Sequence, residues 1–255
     1  MSNNTTPVCS VIIPTCNSSK TIIKTLDSVF SQTFQDFEVI VVDDGSTDCT
    51  VSLVNRSISD SRIQVFPLQE NKGVAYARNV GISKAKGRFI AFLDSDDLWL
   101  NDKLSKQILS FDGNCVGFVC SSYYIREINK SNIEKIVSPP IRLNSNSGDW
   151  YNPVGFLTLV YDTHVCGKVY LPEIKTRSDW GLVVALLKRG VEGLGISDPL
   201  AILQLRKNSL TANKIFAAHG TYIFGRVVLE RSIFVSIALV AVQLTISFFR
   251  RKDVY

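Results

Sequence analysis

From Val8 onward, apolar runs of strand length alternate with stretches of helical spacing. Val8 to Pro14 is a continuous apolar run, the pattern of a strand buried on both faces. In Ser18 to Phe30, the residues Ile22, Ile23, Leu26, Val29 and Phe30 recur at the spacing that lines one side of a helix. The alternation continues with a second buried strand at Phe37 to Val42, a helix over Thr50 to Ile58, a third strand at Arg62 to Leu68, a helix over Val74 to Ala85 and a fourth strand at Phe89 to Leu93. Strands separated regularly by helices predict an α/β fold with a mostly parallel sheet. Beyond this region the signals thin out. Gly113 to Val119 is strand-like and Ser121 to Ile136 is mixed. Ser138 to Tyr151, rich in Pro, Asn, Ser and Gly, reads as a loop, and Leu182 to Lys188 reads as a helix.

Two acidic clusters fall at the ends of predicted strands. Asp43-Asp44-Gly45-Ser46-Thr47-Asp48 follows the second strand, and Asp94-Ser95-Asp96-Asp97 follows the fourth. Clustered carboxylates repel one another and are costly to desolvate, so a strand that delivers them to its carboxyl end points to a hard divalent cation, Mg²⁺ or Mn²⁺, which in turn holds phosphate oxygens. A turn followed by a helix N-cap is the plainer reading, but capping uses one Asp and not three. In open α/β sheets the ligand crevice lies outside the strand carboxyl ends, which places both clusters in one cleft.

Composition narrows the classes. At 255 residues, 45% hydrophobic and 20% charged, the chain suits one large α/β domain, with or without an appendage. A net charge of +5 favours an anionic ligand or membrane surface but is too diffuse for a nucleic-acid partner. The six cysteines form no C-x-x-C pair and there are two histidines, so a zinc site is poorly supplied and reduced structural thiols are expected. Met1 to Pro7 reads as a loose polar leader without signal-peptide character, which places the body of the protein in the cytosol.

Val11-Ile12-Ile13-Pro14-Thr15-Cys16-Asn17, Ser31-Gln32-Thr33-Phe34, Val41-Val42-Asp43-Asp44-Gly45-Ser46-Thr47-Asp48, Asn71-Lys72-Gly73 with Ala77-Arg78-Asn79 and Gly81, and Phe92-Leu93-Asp94-Ser95-Asp96-Asp97 resemble, in order and spacing, the motifs of family 2 inverting glycosyltransferases. The resemblance implies the nucleotide-diphosphosugar-binding fold called GT-A. It implies that Thr15 and Asp44 face the nucleobase and ribose, with Asp44 accepting the uracil N3 proton of a UDP-sugar. Asp94 and Asp96 would form the D-x-D pair, one near the ribose and one on a diphosphate-bound Mn²⁺ or Mg²⁺, with Asp97 beside them. Arg78 would meet the diphosphate, although a helix-surface Arg is as readily a solvated residue. Cys16 departs from the pattern, since the family commonly has an aromatic residue there.

Inversion at an anomeric carbon needs a base for the acceptor hydroxyl, and a carboxylate can serve. The candidate is Asp179 in Arg177-Ser178-Asp179-Trp180-Gly181, which resembles the family's acidic motif with Ser178 in place of the usual Glu. Locally, Ser178 or Asp179 could equally cap the helix that follows. Trp150, Tyr151 and Trp180 are candidates to stack on a sugar, and Trp180 is the one expected near the acceptor.

A catalytic domain is expected over residues 1–213, and the change of composition after Leu205 points to a membrane-associating helical segment over 214–255. Arg206 to Lys214 resembles the segment that closes the catalytic domain in bacterial polysaccharide members. Ile215 to Glu230 has helical character, and Ser232 to Phe249 contains no charge and is at the short limit of a membrane span. Ser236, Gln243 and Ser247 share one helical side, so an interfacial helix is as good a reading. Arg250-Arg251-Lys252 would meet anionic headgroups. The expected function is transfer of a sugar from a nucleotide donor to an undecaprenyl-diphosphate-linked saccharide in O-antigen or capsule assembly, by an enzyme attached at the cytoplasmic face of the inner membrane. For the tail, the alternative is a soluble amphipathic helix that joins a homo-oligomer; for the function, the alternatives are a sugar nucleotidyltransferase and a membrane-bound nucleotide-sugar-binding protein without activity. The nucleotidyltransferase reading lacks its Gly-rich basic loop, since Pro14 to Ser19 does not supply one.

Overall fold

The computed structural model describes residues 6–112, 116–128, 132–205 and 214–252. Strand β1 (Cys9–Thr15) leads to helix α1 (Ile22–Phe30), β2 (Phe37–Asp43) to α2 (Thr50–Ser57), and β3 (Ile63–Pro67) to α3 (Val74–Lys84). Next come β4 (Phe89–Phe92), β5 (Leu98–Trp99), α4 (Lys103–Leu109), β6 (Val116–Glu127), β7 (Lys135–Val137) and β8 (Arg142–Leu143). A 3₁₀ turn at Phe156–Thr158 precedes β9 (Val160–Asp162), α5 (Thr163–Cys166), α6 (Ser178–Leu187), β10 (Glu192–Leu205), α7 (Lys214–Val227) and α8 (Ile233–Lys252). The main path of the sheet runs β3-β2-β1-β4-β9-β6-β10-β5.

Strands β3, β2, β1 and β4 are parallel, as the alternation predicts. The sheet then becomes mixed, because β9 runs antiparallel to both β4 and β6. Successive residues of a strand point to opposite faces. Ile12, Ile40 and Phe92 therefore enter one core with α3 and α6, while Val11, Ile13 and Val39 enter the other with α1, α2 and α4. Gly81 lets α3 lie directly on β1, since a Cβ there would come within 2.5 Å of Ile12 Cγ2.

Several elements differ from the sequence expectation for local reasons. The helix expected from Ser18 starts at Ile22, because the Ser18 carbonyl accepts the N–H groups of Thr21 and Ile22 in a preceding turn. Strand β10 carries no clear sequence signal. Gly193, Gly195 and Pro199 interrupt its apolar pattern, and its pairing with β6 shifts register between Glu192 and Gly193 and on both sides of Pro199, between Ile196 and Ala201. Residues 206–213, within the segment likened to a domain-closing motif, lie outside the described residues, as does part of the Gly113–Val119 run.

The first residue of α4 is an oddity of the core. Lys103 is fully buried, its ammonium lies 3.9 Å from the centroid of the Trp99 ring, and Nζ has no hydrogen-bond partner. Burial pushes its pKa down to about 7 from 10.5. Between those values the unfolded chain binds the extra proton, so stability rises with pH across that window and the penalty is fully present below it. Lys103→Met is expected to raise Tm by several degrees at about pH 6 and by much less at about pH 10. A rise of the same size at both pH values would show that the ammonium carries no such penalty.

At the C-terminal end, Trp180, Val184, Phe224, Leu229 and Leu239 form a third apolar cluster. The Trp180 ring stacks on Phe224 with centroids 4.2 Å apart, joining α6 to α7, and Leu239 brings in α8. The division expected at residue 213 is thus crossed by shared packing, and a cut there would uncover Trp180. Among the described residues no helix is long and apolar enough to cross a membrane.

Candidate active site

The crevice is built where β1, β2 and β4 end. Asp43 and Asp44 both belong to the folding of their own loop. Asp43 accepts from the Ser46 N–H and hydroxyl, closing the turn after β2. Asp44 is 4% exposed, and its two oxygens accept the backbone N–H groups of Lys72 at 2.7 Å and Gly73 at 2.8 Å. Asn71 donates to the Asp44 carbonyl at 3.1 Å and to Cys16 Sγ at 3.3 Å. Gly45 has φ +68°, and a Cβ there would meet the backbone of Glu70 and Asn71 at 2.8 Å. The motifs at 43–48 and 71–73 are therefore one folded unit, and each Asp44 oxygen keeps a further lone pair for a ligand. Thr15, buried at the end of β1, has a hydroxyl without a partner, which marks it as a group available to a ligand.

The D-x-D turn is pinned from three sides. The Ser95 and Ser18 hydroxyls are 2.8 Å apart, the Gln204 side chain donates to the Asp96 carbonyl, and the Gln204 N–H donates to Asp97 Oδ1 at 2.8 Å. Arg78 is buried rather than solvated. Its guanidinium meets Asp94 Oδ1 at 2.5 Å and lies 4.4 Å from the Phe156 ring centroid, and its Nε is buried without a partner. Asp94 is open enough to reach a ligand, with 40% of its side chain exposed.

The expectation that Asp94, Asp96 and Asp97 converge on one ion is not met. Asp97 is buried and holds β10 to the turn. Among the described residues no three His, Cys, Asp or Glu side chains are grouped to hold a metal. Asp94 and Asp96 nevertheless fit Mg²⁺ or Mn²⁺ of the kind that takes one or two protein carboxylates and completes its shell with phosphate oxygens and water.

Asp179 lies in the first turn of α6 and is half-buried. The helix begins after Arg177, a left-handed residue with φ +65°, and no side chain caps it. Neither Ser178 nor Asp179 is the N-cap residue, and Asp179 stands in the first turn, where the helix dipole favours a carboxylate. Two tethers lead from α6 to the crevice. Asn79, next to Arg78 on α3, exchanges two hydrogen bonds with the Leu171 backbone, and Gly181 packs against Pro172. Asn152 donates to Asp179 Oδ2 at 3.2 Å, and Phe156, further along the same loop, lies beneath Arg78.

Trp180 does not face an acceptor. It is fully buried and donates through Nε1 to the Gly148 carbonyl at 2.7 Å, so it cannot stack on a sugar. Of the three candidate aromatics, Trp150 and Tyr151 are the exposed ones. Tyr151 borders a hollow of about 290 Å³ with Ser138, Pro139, Pro140, Asn152 and Gly155. Gln204, Asn152 and Phe156 went unread in the sequence because each acts on a residue far along the chain, from 27 positions for Asn152 to 107 for Gln204, and none belongs to a local motif.

Residues 10–161 match the family model described as Glycosyl transferase family 2. The chain belongs to this family. This family 2 glycosyltransferase is 36% identical over 220 residues to TuaG of Bacillus subtilis, a glycosyltransferase assigned to teichuronic acid biosynthesis, covering 86% of this chain and 87% of TuaG. It is 35% identical over 205 residues to WfaP of Escherichia coli, a UDP-Glc:α-D-GlcNAc-diphosphoundecaprenol β-1,3-glucosyltransferase, covering 80% of each. Its fold matches S. aureus TarS 1–349 in complex with UDP-GlcNAc, with a TM-score of 0.69 at 22% identity over 91% of this chain and 70% of TarS. It also matches the mannosyltransferase PcManGT of Pyrobaculum calidifontis in complex with GDP-Man and Mn²⁺, with a TM-score of 0.68 at 20% identity over 96% and 76% of the two chains. The GT-A architecture expected from the motifs is thus the fold of this family 2 protein.

Proposed function

We propose that this protein transfers a sugar, with inversion, from a UDP-sugar to a polyprenyl-diphosphate-linked saccharide during assembly of a bacterial surface polysaccharide. The observation that carries the reading is Asp179, a half-buried carboxylate that does not cap its helix and is linked through Asn152 to a polar hollow. Asp179 takes the proton of the acceptor hydroxyl as that oxygen bonds to the anomeric carbon. The bond from that carbon to the diphosphate oxygen breaks, and the nucleoside diphosphate leaves with the electron pair. Thr15 and Asp44 hold the nucleoside, and Arg78 offers a fixed cation to the diphosphate. Asp94 and Asp96 would hold the divalent ion, which supplies charge neutralisation at the leaving group. The names of WfaP and of the TarS complex support the choice of UDP-sugar and lipid-linked acceptor. The test is a panel of nucleotide sugars offered with short lipid-diphosphate saccharides, with products identified by mass and the new anomeric centre by NMR. Transfer with retention, or pyrophosphate release from nucleoside triphosphate and sugar phosphate, would overturn it.

Attachment at the cytoplasmic face of the membrane through α7 and α8 belongs to the same proposal. Of the side expected to be polar, Ser236 is fully buried and Gln243 donates to the Trp150 carbonyl at 2.7 Å, so that side is turned toward the protein. Ile233, Phe234, Ile237 and Leu244 are left outward, and Phe234 is 84% exposed. An outward apolar stripe on a docked helix suits insertion at a bilayer surface. The full chain is expected to sediment with anionic phospholipid vesicles, and Phe234→Asp with Ile237→Asp to weaken this by about tenfold or more. A lipid-independent dimer dissolved by the same substitutions would assign the stripe to a second copy.

A further inference from the structure

Asp179 has a neighbour whose geometry leaves it one job. Asn152 is followed by Pro153, which has no N–H, and then by Val154, whose N–H donates to Asn152 Oδ1 at 3.1 Å. That bond fixes the amide oxygen on the Val154 side. The opposite rotamer would strand the Val154 N–H and set the amide oxygen against a carboxylate, so the assignment of Nδ2 toward Asp179 follows from the network. Nδ2 donates to Asp179 Oδ2 at 3.2 Å. Val154 is 4% exposed and packed in the main core, so the turn is anchored on its far side.

We infer that Asn152 is a positioning residue for the acceptor reaction: from the hollow that it lines, it holds one oxygen of Asp179 in place and leaves the other for the acceptor hydroxyl. The inference rests on the reading of Asp179 as the base. A carboxylate on a helix's first turn, without a cap bond, can rotate about χ1 and χ2, and one fixed donor removes much of that freedom. A neutral amide does so without adding a charge at the place where the proton is taken. The hollow continues from Asn152 to Tyr151, Ser138 and the Pro139–Pro140 pair, which offer an aromatic ring and a hydroxyl to a sugar.

Asn152→Ser separates positioning from folding, because its hydroxyl can still accept the Val154 N–H two residues on, while the donor to Asp179 is gone and no charge is added beside the carboxylate. Its kcat is expected to fall by about 10-fold to 100-fold, with donor Kd and Tm close to those of the parent protein. Asn152→Ala, which loses the turn as well, should fall further and also lower Tm. In an Asp179→Asn background, Asn152→Ser should change kcat by less than about twofold, since the group it positions is already disabled. Equal effects of Asn152→Ser in the two backgrounds, or a loss of donor binding and Tm that tracks the loss of kcat, would overturn the inference. Near-normal turnover of Asp179→Asn alone would instead sink the reading of Asp179 as the base, which keeps the two failures distinct.

Discussion

Asp179→Asn is expected to lower turnover by about two or more orders of magnitude while leaving donor affinity nearly unchanged. The substitution keeps the size of the side chain and removes its basicity. It does not disturb a helix cap, because α6 has no side-chain cap to lose. Asp179 is also remote in sequence from the strand ends that hold the nucleotide, and the Thr15, Asp44 and Arg78 contacts do not involve it. Steady-state kinetics with a fixed acceptor, together with a nucleoside diphosphate titration, would read both quantities. A variant that turns over at a near-normal rate would return Asp179 to a packing role and leave the base to be found elsewhere.

Removal of the divalent ion is expected to reduce transfer by about a thousandfold, and Asp96→Ala to weaken the ion's hold so that activity needs far higher Mn²⁺ or Mg²⁺. Asp96 is the better position to alter. Asp94 carries the buried Arg78 guanidinium, and deleting it would leave that cation without its anion, at a cost of about 3 kcal/mol that would blur any loss of metal binding. The assay is transfer rate against free metal concentration, for the parent protein and Asp96→Ala, with re-addition after chelation. Full activity of Asp96→Ala in excess chelator would show that the D-x-D turn serves the sheet and not an ion.

The parts of the site legible in sequence are those where chemistry and local structure coincide. Apolar runs ending in carboxylates marked the ends of β2 and β4, and the ordered motifs pair up in the fold, Asp44 with the 71–73 turn and Arg78 with Asp94. Local pattern cannot tell which of several like residues faces a ligand. Asp97 carries the same charge as Asp96, yet its depth commits it to the Gln204 N–H. Trp180 sits beside the candidate base, yet helix geometry turns it into the cluster with Phe224. The tail shows the same limit. Ser236 and Gln243 define a polar side that sequence alone assigns to water or headgroups, whereas docking directs it to the protein. Strand β10 was hidden by its own glycines and proline.

The grip of the C-terminal hairpin on the loop before Asn152 has a consequence for how the protein ages and fails. Arg231 meets Asp149 at 3.1 Å, Gln243 holds the Trp150 carbonyl, and Trp180, stacked on Phe224, holds the Gly148 carbonyl. The hairpin is thus a splint for the very stretch that reaches Asp179. Nucleotide capture rests on a continuous sheet, whereas acceptor handling rests on a joint whose outer member is the part proposed to touch lipid. Harsh extraction would then loosen the joint first and leave a preparation that still binds its donor but no longer passes the sugar on.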